Sequence, residues 1–172
     1  MDDVSNDSIV ITTRKEYSDN NHVIDRVVFE DELEGDPAVI KAKIVKMLNT
    51  EGESTLLIGI DPGKRIGLTV IYMHDEIDSR VLTSIDSTVD TVYRLVRDIN
   101  ADRCIIKIGY GDPNRARHVA NMLHLLMDNV TIEFVDEHGT SSCIETNKRS
   151  VRDKLSARVI ALRKGTPFRP EL

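Results

Sequence analysis

The sequence contains few of the residues that build disulfide frameworks, zinc sites or membrane spans. Its two cysteines, Cys104 and Cys143, are too few for a disulfide framework and lack the spacing of zinc ligands, so we expect both to be reduced and structural. No apolar run approaches the roughly 18 residues that cross a bilayer, which excludes a membrane protein. Tryptophan is absent and aromatic residues make up 4% of the chain, so aromatic stacking should contribute little to binding.

The N-terminus also lacks a targeting signal. The segment MDDVSNDS is acidic and polar, with neither the basic start nor the apolar stretch of a secretory signal, so we expect a cytoplasmic protein. The 172 residues fit one domain with an appendage, and 40% apolar with 30% charged residues allow an ordinary soluble core.

The net charge of −6 conceals an asymmetry along the chain. Residues 1–54 hold 13 acids and 6 bases, and the rest of the chain carries +1. Residues 138–172 hold eight bases and three acids. Such a basic segment attracts a polyanion such as nucleic acid, although a solvated helix face is its commoner explanation. We interpret residues 1–54 as an acidic N-terminal extension and residues 55–172 as the main domain.

The extension is predicted to form two strands and a helix. Residues 8–17 and 22–30 are rich in β-branched side chains and are separated by the turn-forming SDNN, which predicts two antiparallel strands. Asp36 is suited to cap the following helix, and Pro37 is suited to its first position.

The main domain has an α/β pattern with strands and helices in a defined order. The order is strand, strand, strand, helix, strand, helix, strand, helix. We expect these elements at residues 55–61, 66–73, 78–84, from Ser87 to about 99, 104–110, from Pro113 to about 127, 131–137 and about 142–164. One apolar stripe of the last helix consists of Val151, Leu155, Val159 and Leu162.

Three carboxylates stand where a packed core needs none. Asp61 ends the central strand, Glu137 ends the last strand beside Asp136, and Asp153 shares a face of the last helix with Ala157 and Ile160. The carboxyl ends of parallel strands meet at one sheet edge, and the last helix can bring Asp153 back over it. A buried carboxylate needs a base, backbone donors or a hard cation as its partner.

Each of these acids also has an ordinary structural interpretation. Asp61 is suited to cap the turn made by Pro62 and Gly63, and Glu137 is suited to a solvated strand end. Asp153 is suited to a surface ion pair with Arg149 or Arg152.

Three segments of the main domain resemble those of a known nuclease family. The stretch LLIGIDPGKRIGLTVIY is similar to the first hairpin of the RuvC-like nucleases of the ribonuclease H superfamily. VDEHGTSS and RDKLSARVIAL resemble the corresponding segments of its YqgF (RuvX) branch of pre-ribosomal RNA nucleases. The resemblance covers residues 55–164 and implies a ribonuclease H-like fold with a mixed five-stranded sheet. It also implies that Asp61, Glu137 and Asp153 are the catalytic, metal-binding acids.

The sequence departs from both branches at defined positions. Junction resolvases of the RuvC type have acids at two places that correspond by pattern to Lys107 and Ser156, so that branch matches less well. His138 and Gly139 replace the Arg and Leu usual after the Asp-Glu pair in the YqgF branch, and GYGDP replaces a Gly-Leu-Pro. A Lys107 ammonium directed into the site would compete with a metal, and strand alternation leaves its face open.

The function implied is divalent-metal-dependent hydrolysis of phosphodiesters in structured nucleic acid, either pre-ribosomal RNA or branched DNA. Three carboxylates form an all-oxygen site suited to Mg²⁺ or Mn²⁺. Two ions would activate water and stabilise the leaving oxygen, with Asp61 bridging them. The backbone phosphates would be neutralised by the nearby bases Lys64, Arg65, Arg149 and Arg152.

Two other functions remain open at the level of sequence. One is a catalytically inactive nucleic-acid-binding or scaffolding relative of the same fold. The other is an actin-like ATPase or sugar kinase, because the segment GIDPG is also similar to the phosphate loop of those proteins. Those proteins need two domains around the nucleotide, and the main domain supplies only one. The acidic extension is suited to extend the sheet, cover a face or form a homodimer, and its charge predicts a position remote from bound nucleic acid.

Overall fold

Eight strands and five helices make up the parts of the chain that the computed structural model describes, which are residues 8–19, 26–49, 52–137 and 149–170. The strands are β1 (Val10–Thr12), β2 (Val27–Phe29), β3 (Thr55–Pro62), β4 (Ile66–Tyr72), β5 (Asp75–Leu82), β6 (Arg103–Gly109), β7 (Thr131–Val135) and β8 (Thr166–Pro167). The helices are α1 (Arg14–Asp19), α2 (Pro37–Leu48), α3 (Ile85–Ile99), α4 (Pro113–Leu126) and α5 (Arg149–Leu162), with a 3₁₀ turn over Glu30–Leu33.

The central sheet has the order β5-β4-β3-β6-β7-β8. β3, β4 and β5 form an antiparallel meander, whereas β6 and β7 run parallel to β3. This topology, with helices between the parallel strands, confirms the ribonuclease H-like fold predicted from the order of the elements. The sheet has a sixth strand that the sequence did not predict, because the chain turns back after α5 and two residues pair with β7.

The two faces of the sheet carry different helices. One face packs its large apolar side chains, such as Ile58, Ile60 and Ile106, with buried residues of α2, α3 and α4 in the main core. The opposite face is covered by α5, which lies mainly across β3 and β4. β3 is buried from both sides along most of its length, which explains why its sequence is a nearly continuous apolar run.

The N-terminal strands differ from the prediction of an antiparallel pair. β1 and β2 are short and parallel, and α1 lies between them in the chain. The cause is a capping box: Glu16 N–H donates to the Thr13 hydroxyl at 3.0 Å, and Thr13 N–H donates to the Glu16 carboxylate at 3.4 Å. This local signal starts a helix inside a segment whose β-branched residues predict a strand.

α2 begins as the sequence predicts and is held against the meander. Asp36 accepts a hydrogen bond from Ala38 N–H at 2.9 Å, and Pro37 is the first helical residue. Arg80 on β5 contacts both Asp36, at 2.6 Å, and Asp78. Its hydrogen bond lowers the pKa of the Asp36 carboxyl. Ala42 on the same helix is buried in the main core, so α2 packs on the face that carries α3.

The remaining helix boundaries agree with the sequence patterns except at the start of α3. Ser84, rather than the predicted Ser87, caps α3, and its hydroxyl accepts a hydrogen bond from Ser87 N–H. α4 begins at Pro113 as predicted, with Asp112 as its cap. The predicted start of the last helix near residue 142 lies outside the described residues, as does Cys143.

Cys104 is buried, and burial raises the pKa of its thiol to about 12, as expected of a structural cysteine. Within the described ranges, no helix combines the length and the apolar composition that crossing a membrane requires.

The turn between β4 and β5 places two ordinary residues in a left-handed conformation. Met73 has φ of 48° and His74 has φ of 77°. Two-residue turns of this kind favour Asn-Gly, because a Cβ atom crowds the neighbouring carbonyl when φ is positive.

His74→Gly is therefore expected to raise the free energy of unfolding by about 1 kcal/mol, since the left-handed region costs an L-residue about 1 to 2 kcal/mol and glycine loses part of that gain in chain entropy. Urea denaturation measures the change. His74→Ala is the matched control, because it removes the imidazole but keeps the Cβ atom, and it should leave stability nearly unchanged. An equal gain in both variants would show that the imidazole, and not the backbone, is responsible.

Candidate active site

Three carboxylates lie within electrostatic range of one another near the carboxyl end of β3, on the face covered by α5. Asp61 lies near the end of β3, Glu137 follows β7 by two residues, and Asp153 lies in the first half of α5. The negative charges of Glu137 and Asp153 both raise the pKa of Asp61. The structure thus places the three acids that the sequence singles out within electrostatic range of one another, and their role as a site stays a prediction.

Asp61 is at the centre of this group. Burial is the largest cause that raises its pKa, followed by repulsion from Glu137, and the result is a pKa of about 6. A hydrogen bond from the Ser156 hydroxyl acts in the opposite direction, because it stabilises the ionised carboxylate. The folded chain holds a carboxylate here at an electrostatic cost, and a cation bound nearby would reduce that cost.

Glu137 is positioned by the loop that follows β6. Gly111 N–H donates a hydrogen bond to Glu137 Oε1 at 2.9 Å. The same carboxylate lies over Gly109, where an added Cβ atom would stand 2.2 Å from Oε1. Gly109 follows Ile108, the partner of Ile60 in the sheet, and is therefore the β6 neighbour of Asp61. The missing side chain at Gly109 admits the Glu137 carboxylate to the side of Asp61.

Asp153 is oriented by the backbone of α5 and contacts one base. Its carbonyl oxygen lies directly on Gly67, the β4 residue paired with Asp61, and an added Cβ atom there would be 2.0 Å away. Asp153 Oδ2 is 3.4 Å from Nε of Arg65. That oxygen is buried and accepts no hydrogen bond from any part of the chain that the structure describes.

Glycines surround Asp61, and sequence reasoning did not assign them to the site. We call Gly59, Gly67 and Gly109 the glycine frame: Gly59 and Gly67 admit the backbone of α5, and Gly109 admits Glu137. Each is a glycine within an apolar strand, a pattern typical of a close approach by another group. That signal was present in the sequence and would have located the frame. Ser156, noted there only as a departure from the resolvases, is the hydrogen-bond donor to Asp61.

Gly109→Ala is expected to displace the Glu137 carboxylate and thereby lower the pKa of Asp61, because Glu137 repels the ionised form. Titration of the Asp61 carboxyl by NMR in metal-free buffer measures this change. Gly111→Ala is the matched control, since its Cβ atom would meet the same carboxylate at a wider 3.0 Å. It should produce the smaller shift, and an unchanged Asp61 pKa in both variants would contradict the proposed packing.

Lys107 does not enter the acidic group. It is paired with Gly59 on one side and Glu133 on the other, which places it two residues before the level of Asp61. Its Nζ donates a hydrogen bond to the carbonyl oxygen of Arg163, at the end of α5, and lies 3.8 Å from Glu133 Oε2. Lys107 therefore stabilises the end of the helix, and the competition with a metal considered from the sequence does not arise from this position.

The four bases proposed to contact phosphates lie close to the acids along the chain. Lys64 and Arg65 occupy the hairpin loop that follows Asp61, and Arg149 and Arg152 lie in the first turn of α5. All four are exposed. Asp153 contacts Arg65, whereas the sequence suggested Arg149 or Arg152 as its partner. His138 and Gly139 lie outside the described residues.

No family model and no curated protein matches the chain. The chain is similar to the Thermus thermophilus RuvC structure. The two share 9% sequence identity over 67% of this chain and 99% of that chain, with a TM-score of 0.41. The fold assignment rests on the strand order and directions of the central sheet.

The donor chemistry of the site suits a hard divalent cation. Its ligands would be carboxylate oxygens, which Mg²⁺ and Mn²⁺ prefer. Oδ2 of Asp153 is buried and accepts no hydrogen bond from the described residues, and a cation would give it a partner. A cation would also stabilise the ionised form of Asp61, whose pKa is raised. Among the described residues, however, no three His, Cys, Asp or Glu side chains converge as a ready metal site. Binding of a cation by these three acids would therefore require side-chain rotation.

Proposed function

We propose that the protein is a divalent-metal-dependent nuclease that hydrolyses phosphodiester bonds in structured nucleic acid. The observation that carries this proposal is the partly buried Asp61, whose carboxylate is repelled by two further carboxylates from separate elements of the fold. In a packed core such a carboxylate only costs free energy, whereas a cation-binding centre requires it as a ligand. The three acids resemble those of the YqgF branch, which makes structured RNA and branched DNA the substrates to compare.

Asp61, Glu137 and Asp153 would hold Mg²⁺ or Mn²⁺. The bound ion would supply charge to the scissile phosphate and lower the pKa of an attacking water. The chain itself supplies positioning: Ser156 orients Asp61 through a hydrogen bond, and Gly111 N–H orients Glu137.

The exposed bases around the hairpin and the first turn of α5 would bind the backbone phosphates, so affinity should fall steeply with salt. α2, the helix of the acidic extension (residues 1–54), packs on the sheet face opposite α5, which supports a position of the extension away from the phosphates.

A second candidate is a nucleic-acid-binding relative without catalysis. The ion pair between Arg65 and Asp153 favours it, because this pair supplies positive charge to one of the acids from within the chain. The lack of a ready three-ligand group among the described residues favours it as well.

Cleavage assays separate the two candidates. The purified protein is incubated in Mn²⁺ with labelled four-way junction DNA, single-stranded RNA and structured RNA, beside Glu137→Gln and Asp153→Asn. A nuclease cleaves at least one substrate, and both variants lose that activity. Asp90→Asn is the matched control, since Asp90 is an exposed acid of α3 that pairs with Arg94. Salt-sensitive binding without cleavage of any substrate would reject the nuclease in favour of the second candidate.

A further inference from the structure

Arg65 is a base that pairs with Asp153, and its place follows from the hairpin. β3 and β4 pair as far as Pro62 and Ile66, which leaves a three-residue loop ending at Arg65. Gly63 N–H donates to the Asp61 carbonyl oxygen at 3.0 Å and tightens this loop. Arg65 therefore begins only four residues from Asp61, and its side chain returns over the site to Asp153.

The contact between Arg65 and Asp153 is loose by the standard of other pairs in this protein. Its single N···O distance is 3.4 Å, and it provides no hydrogen bond to the buried Oδ2. Arg14, in contrast, donates two hydrogen bonds to Asp31, at 2.9 and 3.0 Å. Well-formed arginine–carboxylate pairs are short and often bidentate. The Arg65 guanidinium thus neutralises Asp153 without fixing it.

The two partners are also unequally exposed. The side chain of Arg65 is 46% exposed and that of Asp153 is 24% exposed. Arginine can therefore move into solvent at little cost, whereas the carboxylate stays within the site because the backbone of α5 rests on the sheet at Gly67. If a cation replaced the guanidinium, Asp153 would keep a positive partner, and Arg65 would gain freedom to contact a phosphate.

We propose that Arg65 is a displaceable internal counter-ion that occupies Asp153 in the metal-free protein and leaves it for a nucleic-acid phosphate when a divalent cation binds. This inference rests on the proposed metal site. It explains why no three acids converge in the described chain while their charges still act on one another, since one ligand is held by a base. Arg65 is a positioning residue in this scheme, acting on the site through Asp153.

The test is the affinity for Mn²⁺ alone, measured by titration calorimetry without nucleic acid. Arg65→Gln removes the competitor and is expected to bind Mn²⁺ about tenfold more tightly than the unaltered chain. Arg94→Gln is the matched control, because it removes one positive charge of an exposed arginine that lies on α3 and outside the proposed nucleic-acid contacts. Less than a twofold change is expected there. Arg65→Lys keeps the charge without the reach of the guanidinium and should fall between the two.

A second measurement distinguishes displacement from simple charge repulsion. In EDTA, Arg65→Gln should unfold at a lower temperature than the unaltered chain, because Asp153 has lost its partner, and saturating Mn²⁺ should remove that difference. Unchanged or weaker Mn²⁺ binding in Arg65→Gln would overturn the inference while leaving the metal site intact. Lack of Mn²⁺ binding by the unaltered chain and by every variant would instead reject the proposed function, and the inference with it.

Discussion

Replacement of Asp61 by asparagine is expected to abolish metal-dependent cleavage and, in the same protein, to raise stability at neutral pH. Cleavage should fall at least about a hundredfold, because the proposed metal site loses its central ligand and a bound metal would supply several kcal/mol of charge stabilisation. Stability should rise because burial and the charge of Glu137 disfavour an ionised Asp61 in the folded chain. Asparagine keeps a side-chain oxygen that can accept the hydrogen bond from Ser156.

The pH dependence of this gain follows from the direction of the pKa shift. Asp61 has a pKa of about 6 in the folded chain, against 3.8 for an ordinary aspartate, so the folded state binds the proton more tightly. Below pH 3.8 the carboxyl is protonated in both states and has no differential effect. Between pH 3.8 and about 6 the unaltered chain loses stability as the pH rises, and above that range the full cost is present. It amounts to at most about 3 kcal/mol, at 1.36 kcal/mol per pKa unit.

Urea denaturation in EDTA at several pH values measures this effect. The free energy of unfolding of Asp61→Asn should exceed that of the unaltered chain most at pH 7.5, and the difference should shrink as the pH approaches 4. Asp90→Asn is the control for a change of net charge, and its small effect should not follow the same profile. A variant that is less stable than the unaltered chain at pH 7.5 would show that Asp61 is compensated by groups that the described structure does not include.

Gly59→Ala is expected to lower the free energy of unfolding by about 3 kcal/mol or more, since overpacking a rigid contact costs about 1 to 3 kcal/mol and more where backbone must move. The added Cβ atom would lie 2.1 Å from the Ala157 carbonyl oxygen and 2.9 Å from Ala161 N. These are backbone atoms of α5, so rotation of a side chain cannot relieve the contact.

Gly111→Ala is the matched control for this substitution. Its Cβ atom would meet only the end of the flexible Glu137 side chain, at 3.0 Å or more, so its loss should be below about 1 kcal/mol. Urea denaturation of both variants supplies the comparison. Equal losses would mean that α5 is free to move away from β3.

Much of the fold, and the position of Asp61 near the end of a strand, could be predicted from the chain because both depend on local patterns. The apolar run before Asp61 and the order of the elements predict a strand end at the right place in the right fold. Asp153 shares its predicted helix face with Ala157 and Ile160, and this face is buried, whereas Val151 and Leu162 of the larger apolar stripe are exposed. The larger side chains of the apolar stripe favoured that face as the buried one. The face with the small residues packs on the sheet instead, because the glycines there let the helix backbone approach closely.

The remaining differences arise from interactions between distant parts of the chain or from a single cap. The partner of Asp153 comes from the hairpin, 88 positions earlier in the chain, and no spacing rule connects it to a helix formed from residues 149 onward. Whether Lys107 enters the acidic group depends on its position along the sheet, and only the strand register shows that position. At the N-terminus, a capping box of four residues outweighs the β-branched pattern that predicts a continuous strand.

The contacts of α5 with Gly59 and Gly67 act as a two-point register for the helix. The carbonyl oxygens of Ala157 and Asp153, four residues apart and therefore on one line of the helix, each lie on one of these glycines. A slide along the axis would lift both carbonyls off their glycines, and a roll would bring larger side chains against the strands. A descendant sequence that kept all three acids but lost either glycine would keep the proposed ligands without the geometry that positions them.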